Sequence, residues 1–175
     1  MKKNILLLAI LTYILGFFLA IIFKENYSNL NINKEKIFYA SLNSDLYTIW
    51  KRILFNNLSV VFINVIGGFS LGVLTFGSTL YNGFLMGYLT KNVLLKLPIS
   101  YTLLYVAPHS FEIVGIILSC YLGYVIGTTV YYFIFSKNSL LLEFSNRRTI
   151  LKLCIIVFLM ILISSIIEVY VSMQL

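Results

Sequence analysis

A chain of 175 residues with 60% hydrophobic side chains, 11% charged ones and a mean hydropathy of +0.95 does not suit a water-soluble domain. Soluble domains carry about 25% charged residues, and a core this apolar would leave too little polar surface to cover it. A secreted enzyme, a cytosolic binding domain and a disordered chain are excluded, which leaves an all-α, polytopic transmembrane helical bundle, multi-pass in the cell membrane. A net charge of +7, from 13 Lys and Arg against 6 Asp and Glu, would suggest nucleic-acid binding in a soluble domain. Here the cations come as pairs beside apolar runs, Lys2-Lys3, Lys51-Arg52 and Arg147-Arg148. Such pairs flank membrane spans and meet anionic headgroups, so the expected partner is the lipid bilayer and not nucleic acid.

In chain order, residues 4–23 form the first apolar run. It has the roughly 20 residues that a span of the hydrocarbon core needs. Lys2 and Lys3 precede it, Lys24 follows it, and Ala20 stands alone among bulky neighbours without an A-x-A cleavage pattern. An uncleaved anchor is expected. Residues 24–57 form a polar loop and then an amphipathic stretch. Phe38, Leu42, Leu46, Ile49 and Ile53 recur every three or four residues, Trp50 flanks them, and Ser41, Ser44, Asp45, Thr48, Lys51 and Arg52 occupy the other side. This periodicity predicts either a helix lying in the headgroup plane or an amphipathic helix packed on the bundle.

The second run, 58–80, contains Asn64, Gly67, Gly68, Gly72 and Gly77, and continues into 81–97 with only Thr79, Asn82 and Lys91 to mark a break. Two spans joined by a tight turn near 78–82 are expected, with one span and a shorter re-entrant helix as the alternative. Pro98 and Ser100 end that element, and a third long run, 110–135, follows Pro108-His109. Pro108 suits a first helical turn, where its missing N–H costs nothing. After the polar loop 137–148 comes the last run, 150–172, so 58–135 is a glycine-rich core within a single membrane domain over 1–175. Lys137, Arg147, Arg148 and Lys152 place the last loop on the cytoplasmic side. About five membrane helices then put the N-terminus inside, whereas four plus a re-entrant helix put it outside. Five is the reading adopted.

Polar groups at membrane depth are costly, so each needs a reason. Two carboxylates, Glu112 and Glu168, lie within the apolar runs, and the single histidine, His109, precedes Glu112 by three residues. That spacing puts both on one helix face. Gly115, Ser119, Gly123 and Gly127 continue nearly the same face, and Gly68–Gly72 and Gly83–Gly87 repeat the spacing. Helix packing is expected at these glycines, because small residues let backbones approach. Asn64 and Asn82 complete the intramembrane polar cluster, as amides able to bond across helices or to cap a broken one.

His109, Glu112 and Glu168 allow three roles: a proton relay, zinc ligands with an open position, or a hydrogen-bonded cluster that sets helix register. The last is the plainest, so no metal and no cofactor is assigned. The chain has no H-E-x-x-H, no second histidine and no P-loop, and no catalytic residue and no enzymatic activity are expected. Cys120 and Cys154 lie in apolar runs, which argues against a disulfide framework or a thiolate metal site.

The order of these features resembles the stage II sporulation protein M family of bacterial integral membrane proteins. Asn82, Gly83 and Gly87 match the family's N-G-x-x-x-G element. Pro108, His109 and Glu112 match its proline–histidine–glutamate element, with Ser110 where the family usually has glycine, and Glu168 matches the glutamate of its last helix. The resemblance covers residues 55–172, and residues 1–54 match only in layout. It implies a non-enzymatic scaffold or assembly subunit that recruits other membrane proteins and peptidoglycan hydrolases during sporulation. Small members associated with circular bacteriocins imply the alternative, a component for export, maturation or immunity beside an ABC exporter. A homo-oligomer is compatible with both.

Overall fold

Long apolar segments in lipid have to pair every backbone group internally, and the helix does this within one segment. The computed structural model describes residues 3–22, 45–135 and 147–172. Among these, the long helices are α1 (Lys3–Ile22), α2 (Leu46–Ile66), α3 (Val73–Leu94), α5 (Ser110–Phe135) and α6 (Arg147–Ser172). A short helix, α4 (Ile99–Val106), leads through a single 3-10 turn, Ala107–His109, into α5. Four helical stretches are long and apolar enough to cross a membrane: Lys3–Ile22, Leu46–Ser70, Ile99–Phe135 and Ile150–Tyr170. Among the described residues the protein is all-helical, with five long helices, and its four long apolar stretches make it a multi-pass membrane protein.

The contacts set the direction of each helix. On α1 and α3 the contact positions rise together: Gly16 lies against Leu80 and Phe84, Phe17 against Gly87, and Ile21 O accepts from Lys91 Nζ at 3.1 Å. These two helices run parallel, in backbone contact. The α2–α3 pair is antiparallel, since it is closed by a short turn at 67–72. α6 runs back along α5, with Ser164 bonded to Pro108 O and Ile161 against Gly115. Helices α1, α3 and α6 thus point one way and α2 and α5 the other. The described ends, Lys3 and Ser172, lie at opposite ends of the bundle.

Asn82-Gly83 reads as a turn, but α3 runs unbroken through 78–82. The break lies instead at Gly67–Ser70, a 3-10 turn, followed by Leu71 at φ 58 and Gly72 at φ 85. A left-handed residue is nearly free for glycine and costs about 1–2 kcal/mol for others, so Gly72 is where reversal is cheapest. Asn82 returns its Nδ2 to Ser78 O at 2.8 Å within the helix. Gly83 serves close approach: a Cβ there would collide with the Tyr13 carbonyl.

A second expectation also changes. Residues 46–57 are not a separate interfacial helix but the first half of α2, continuous to Ile66. No glycine or proline interrupts 46–66, and Leu54, Asn57 and Asn64 turn inward along the whole element. Phe38, Ser41, Leu42 and Ser44 of the proposed amphipathic face lie outside the described residues, as do Lys2 and Lys137.

α5 is the central helix. It places Ile116, Cys120 and Tyr121 to Tyr124 in the core. Val157 and Ile161 of α6 are buried beside them. Large side chains such as Leu7, Phe18, Phe62, Phe69 and Phe158 are exposed, as expected where the solvent is acyl chain.

Candidate functional site

The polar residues at depth divide into two groups. The first centres on Asn64, which is fully buried. Its Nδ2 donates to Ser119 Oγ at 2.8 Å, and its own carbonyl accepts from Thr75 Oγ1 at 2.7 Å. Thr79 Oγ1 donates to Asn64 Oδ1 at 3.4 Å. This network joins α2, α3 and α5 where Gly123 allows the backbone of α2 to touch α5. It is a closed structural lock.

The second group forms around the Pro108 turn. Pro108 needs no N–H partner there, and its carbonyl accepts from Ser164 Oγ of α6 at 3.3 Å. That bond fixes the end of α6 against the start of α5. His109 Nδ1 lies 3.1 Å from Glu112 Oε2 and 3.8 Å from Glu168 Oε2. One ligand atom from each of the three lies within 4.8 Å of the others. Residues three apart on one helix, and a glutamate 56 positions further on, are thus brought to one point.

The cluster lines a cavity of about 460 Å³. Leu85, Met86, Ile113 and Ile116 supply apolar wall, while Tyr13, Arg52, Asn56, Asn57 and Asn82 supply polar groups. Asn57 is only 3% exposed. Its Oδ1 accepts from Asn56 Nδ2 at 3.2 Å, but its Nδ2 has no hydrogen-bond partner among the described residues. Glu168 Oε2 is likewise buried without one. The expected cluster of five therefore divides: His109, Glu112, Glu168 and Asn82 share the cavity, and Asn64 belongs to the separate lock.

The glycines expected to pack do so against different partners. Gly83 and Gly87 meet the α1 backbone at Tyr13 and Phe17, Gly123 meets the α2 backbone at Asn64, Gly68 of the turn meets α5 at Gly123 and Ile126, and Gly127 meets Leu71. Gly115 faces Ile161, and Gly72 faces the Tyr124 ring. Arg52, Asn56, Asn57 and Tyr13 are site residues that sequence reasoning passes over. Arg52 reads as an interfacial charge and Tyr13 as one aromatic in an apolar run; the Asn56-Asn57 pair, next to the run at Leu58, is the one available signal.

The chain also contains a hydrolase-like spacing. Gly68-Phe69-Ser70-Leu71-Gly72 reads G-x-S-x-G, which elsewhere marks a nucleophile at a strand-to-helix turn. Here the turn is helix to helix, and the Ser70 hydroxyl is engaged. It donates to Gly67 O at 2.6 Å and accepts from Leu74 N at 3.0 Å, and it is not part of the cavity lining.

An imidazole beside two carboxylates can hold a cation or pass a proton, and the amide wall opposite offers N–H donors to an oxygen. The chain is 28% identical over 169 residues to an uncharacterised protein of the archaeon Methanocaldococcus jannaschii, covering 95% of this chain and 93% of that one. No solved structure matches it. The family model described as stage II sporulation protein M matches residues 5–173. The chain belongs to the stage II sporulation protein M family.

Proposed function

We propose that the chain is a non-enzymatic membrane scaffold or assembly subunit, recruiting partner proteins in cell-envelope remodelling during sporulation. The observation that carries this reading is the backbone-locked core. At Gly16, Gly83, Gly87 and Gly123 an added Cβ would strike the backbone of a neighbouring helix. Such contacts leave no room for sliding, which suits a fixed platform better than a carrier that changes shape. Outside this core the exposed apolar side chains offer a surface for the helices of other membrane proteins. The family description supports the sporulation setting. Purification after gentle solubilisation tests the proposal: partner proteins, peptidoglycan hydrolases or their membrane anchors among them, should co-elute and lose their localisation on deletion. A chain that elutes alone, with partner localisation unchanged on deletion, refutes it.

The cavity favours a second reading, a component for export, maturation or immunity of a peptide such as a circular bacteriocin. His109, Glu112 and Glu168 would then line the path of the exported molecule. The double variant Glu112→Gln, Glu168→Gln should abolish export while folding persists; full export by that variant removes any ionisable role.

A further inference from the structure

We propose that His109, Glu112 and Glu168 bind a divalent transition-metal ion whose remaining coordination positions open into the cavity beside Asn57. The inference does not depend on the scaffold reading, which partner co-elution tests and a metal measurement does not.

Three observations carry it. First, two of the three donor separations are close to those a bound ion requires. A tetrahedral site with bonds of about 2.1 Å has ligand atoms about 3.4 Å apart, and His109 Nδ1 lies 3.1 and 3.8 Å from the oxygens of Glu112 and Glu168. The ligand atoms of all three side chains fall within 4.8 Å of one another, so a small adjustment of side-chain torsions would close the set around an ion.

Second, a purely structural cluster leaves Glu168 unexplained. At 3.8 Å its Oε2 is beyond hydrogen-bond distance of the imidazole, and no described residue donates to it. An unmet carboxylate oxygen inside a membrane bundle needs a cation or a proton, and an ion shared with His109 and Glu112 supplies the cation.

Third, the Asn57 amide is a separate sign of an occupant. It is 3% exposed, it lines the same cavity, and its Nδ2 lacks an acceptor among the described residues. A water, carbonyl or carboxylate oxygen held by the ion would provide that acceptor. About 460 Å³ is far more than an ion needs, which leaves space for such a ligand. One imidazole with two carboxylates selects zinc, manganese, iron or cobalt over calcium and magnesium, which take all-oxygen sites.

The test uses the full chain in detergent, stripped with chelator and reloaded separately with Zn²⁺, Co²⁺ or Mg²⁺. One Zn²⁺ per chain is expected, together with a raised unfolding temperature and a visible Co²⁺ absorption typical of nitrogen and oxygen ligands. Mg²⁺ should give neither binding nor stabilisation. Glu168→Gln and His109→Asn should each weaken Zn²⁺ at least tenfold, whereas Cys154→Ser leaves it unchanged. Helical circular dichroism checks folding of each variant. Should a variant not fold, the wild-type Co²⁺ spectrum decides, because it reports the ligand atoms directly. Less than one metal per chain, a thiolate charge-transfer band, or undiminished binding by folded Glu168→Gln overturns the proposal.

Discussion

Two buried asparagines on the same helix have opposite surroundings. Asn64 is enclosed on every side, with its amide and carbonyl groups paired to Ser119, Thr75 and Thr79. Asn57, two turns earlier on α2, is nearly as buried but has an amide N–H with no partner among the described residues and a cavity beside it. The first is a polar group used to hold three helices together. The second is a polar group left open, next to the histidine and the two glutamates, and that openness distinguishes a site from a lock.

The largest effect is expected where α3, which carries Thr75 and Thr79 of the lock and Asn82 of the cavity, meets α1 backbone to backbone. Gly83→Leu would drive a side chain into the Tyr13 carbonyl of α1, with no flexible neighbour to yield. The expected outcome is loss of folded, monodisperse protein, read by size-exclusion chromatography in detergent. Asn64→Leu should come next. It removes the Asn64 acceptor of the Thr79 hydroxyl and the donor to Ser119, which keeps its bond to Ile116 O; at about 1–3 kcal/mol for a buried group left unsatisfied, a thermal melt should show a clear fall. Ser70→Ala should cost about 1 kcal/mol, the value of a helix cap, and change nothing at the cavity. Partner co-elution unchanged in Ser70→Ala agrees with a hydroxyl that only caps α3; loss of co-elution in a variant that still folds would reopen the G-x-S-x-G reading. The smallest effect on stability is expected at the open site. Asn57→Leu removes an unpaired donor and should be neutral or slightly stabilising, the reverse of Asn64→Leu. A clear loss of stability in Asn57→Leu would place it with the structural lock.

Much of the architecture was legible in the sequence because membrane helices are dictated by local composition. The runs that became α1, α5 and α6 are apparent from their apolar length, and Pro108 marks the entry to α5. His109 and Glu112 share a face because three residues make nearly one helical turn. The break between α2 and α3 was misplaced because Asn82-Gly83 and Gly67 to Gly72 both carry turn-forming residues. Which of them turns depends on the neighbour: Gly83 is occupied by close approach to Tyr13, leaving Gly72 to take the positive φ. Tyr13 and Arg52 were missed because nothing within their own helices sets them apart; each becomes a site residue only by facing another helix.

By itself, then, the sequence determined that the chain lives in a membrane, which residues are too polar for lipid, and which family it resembles. Those follow from transfer energies and helical spacing, which act on each segment alone. Only the tertiary structure decided how the polar residues are shared out. Glu168 joins His109 and Glu112 because α6 runs antiparallel to α5, while Asn64 is drawn into a lock because Gly123 lets α2 and α5 touch. Helix direction and distance of approach are set between segments, by the glycines at each crossing, and no single run of residues contains them.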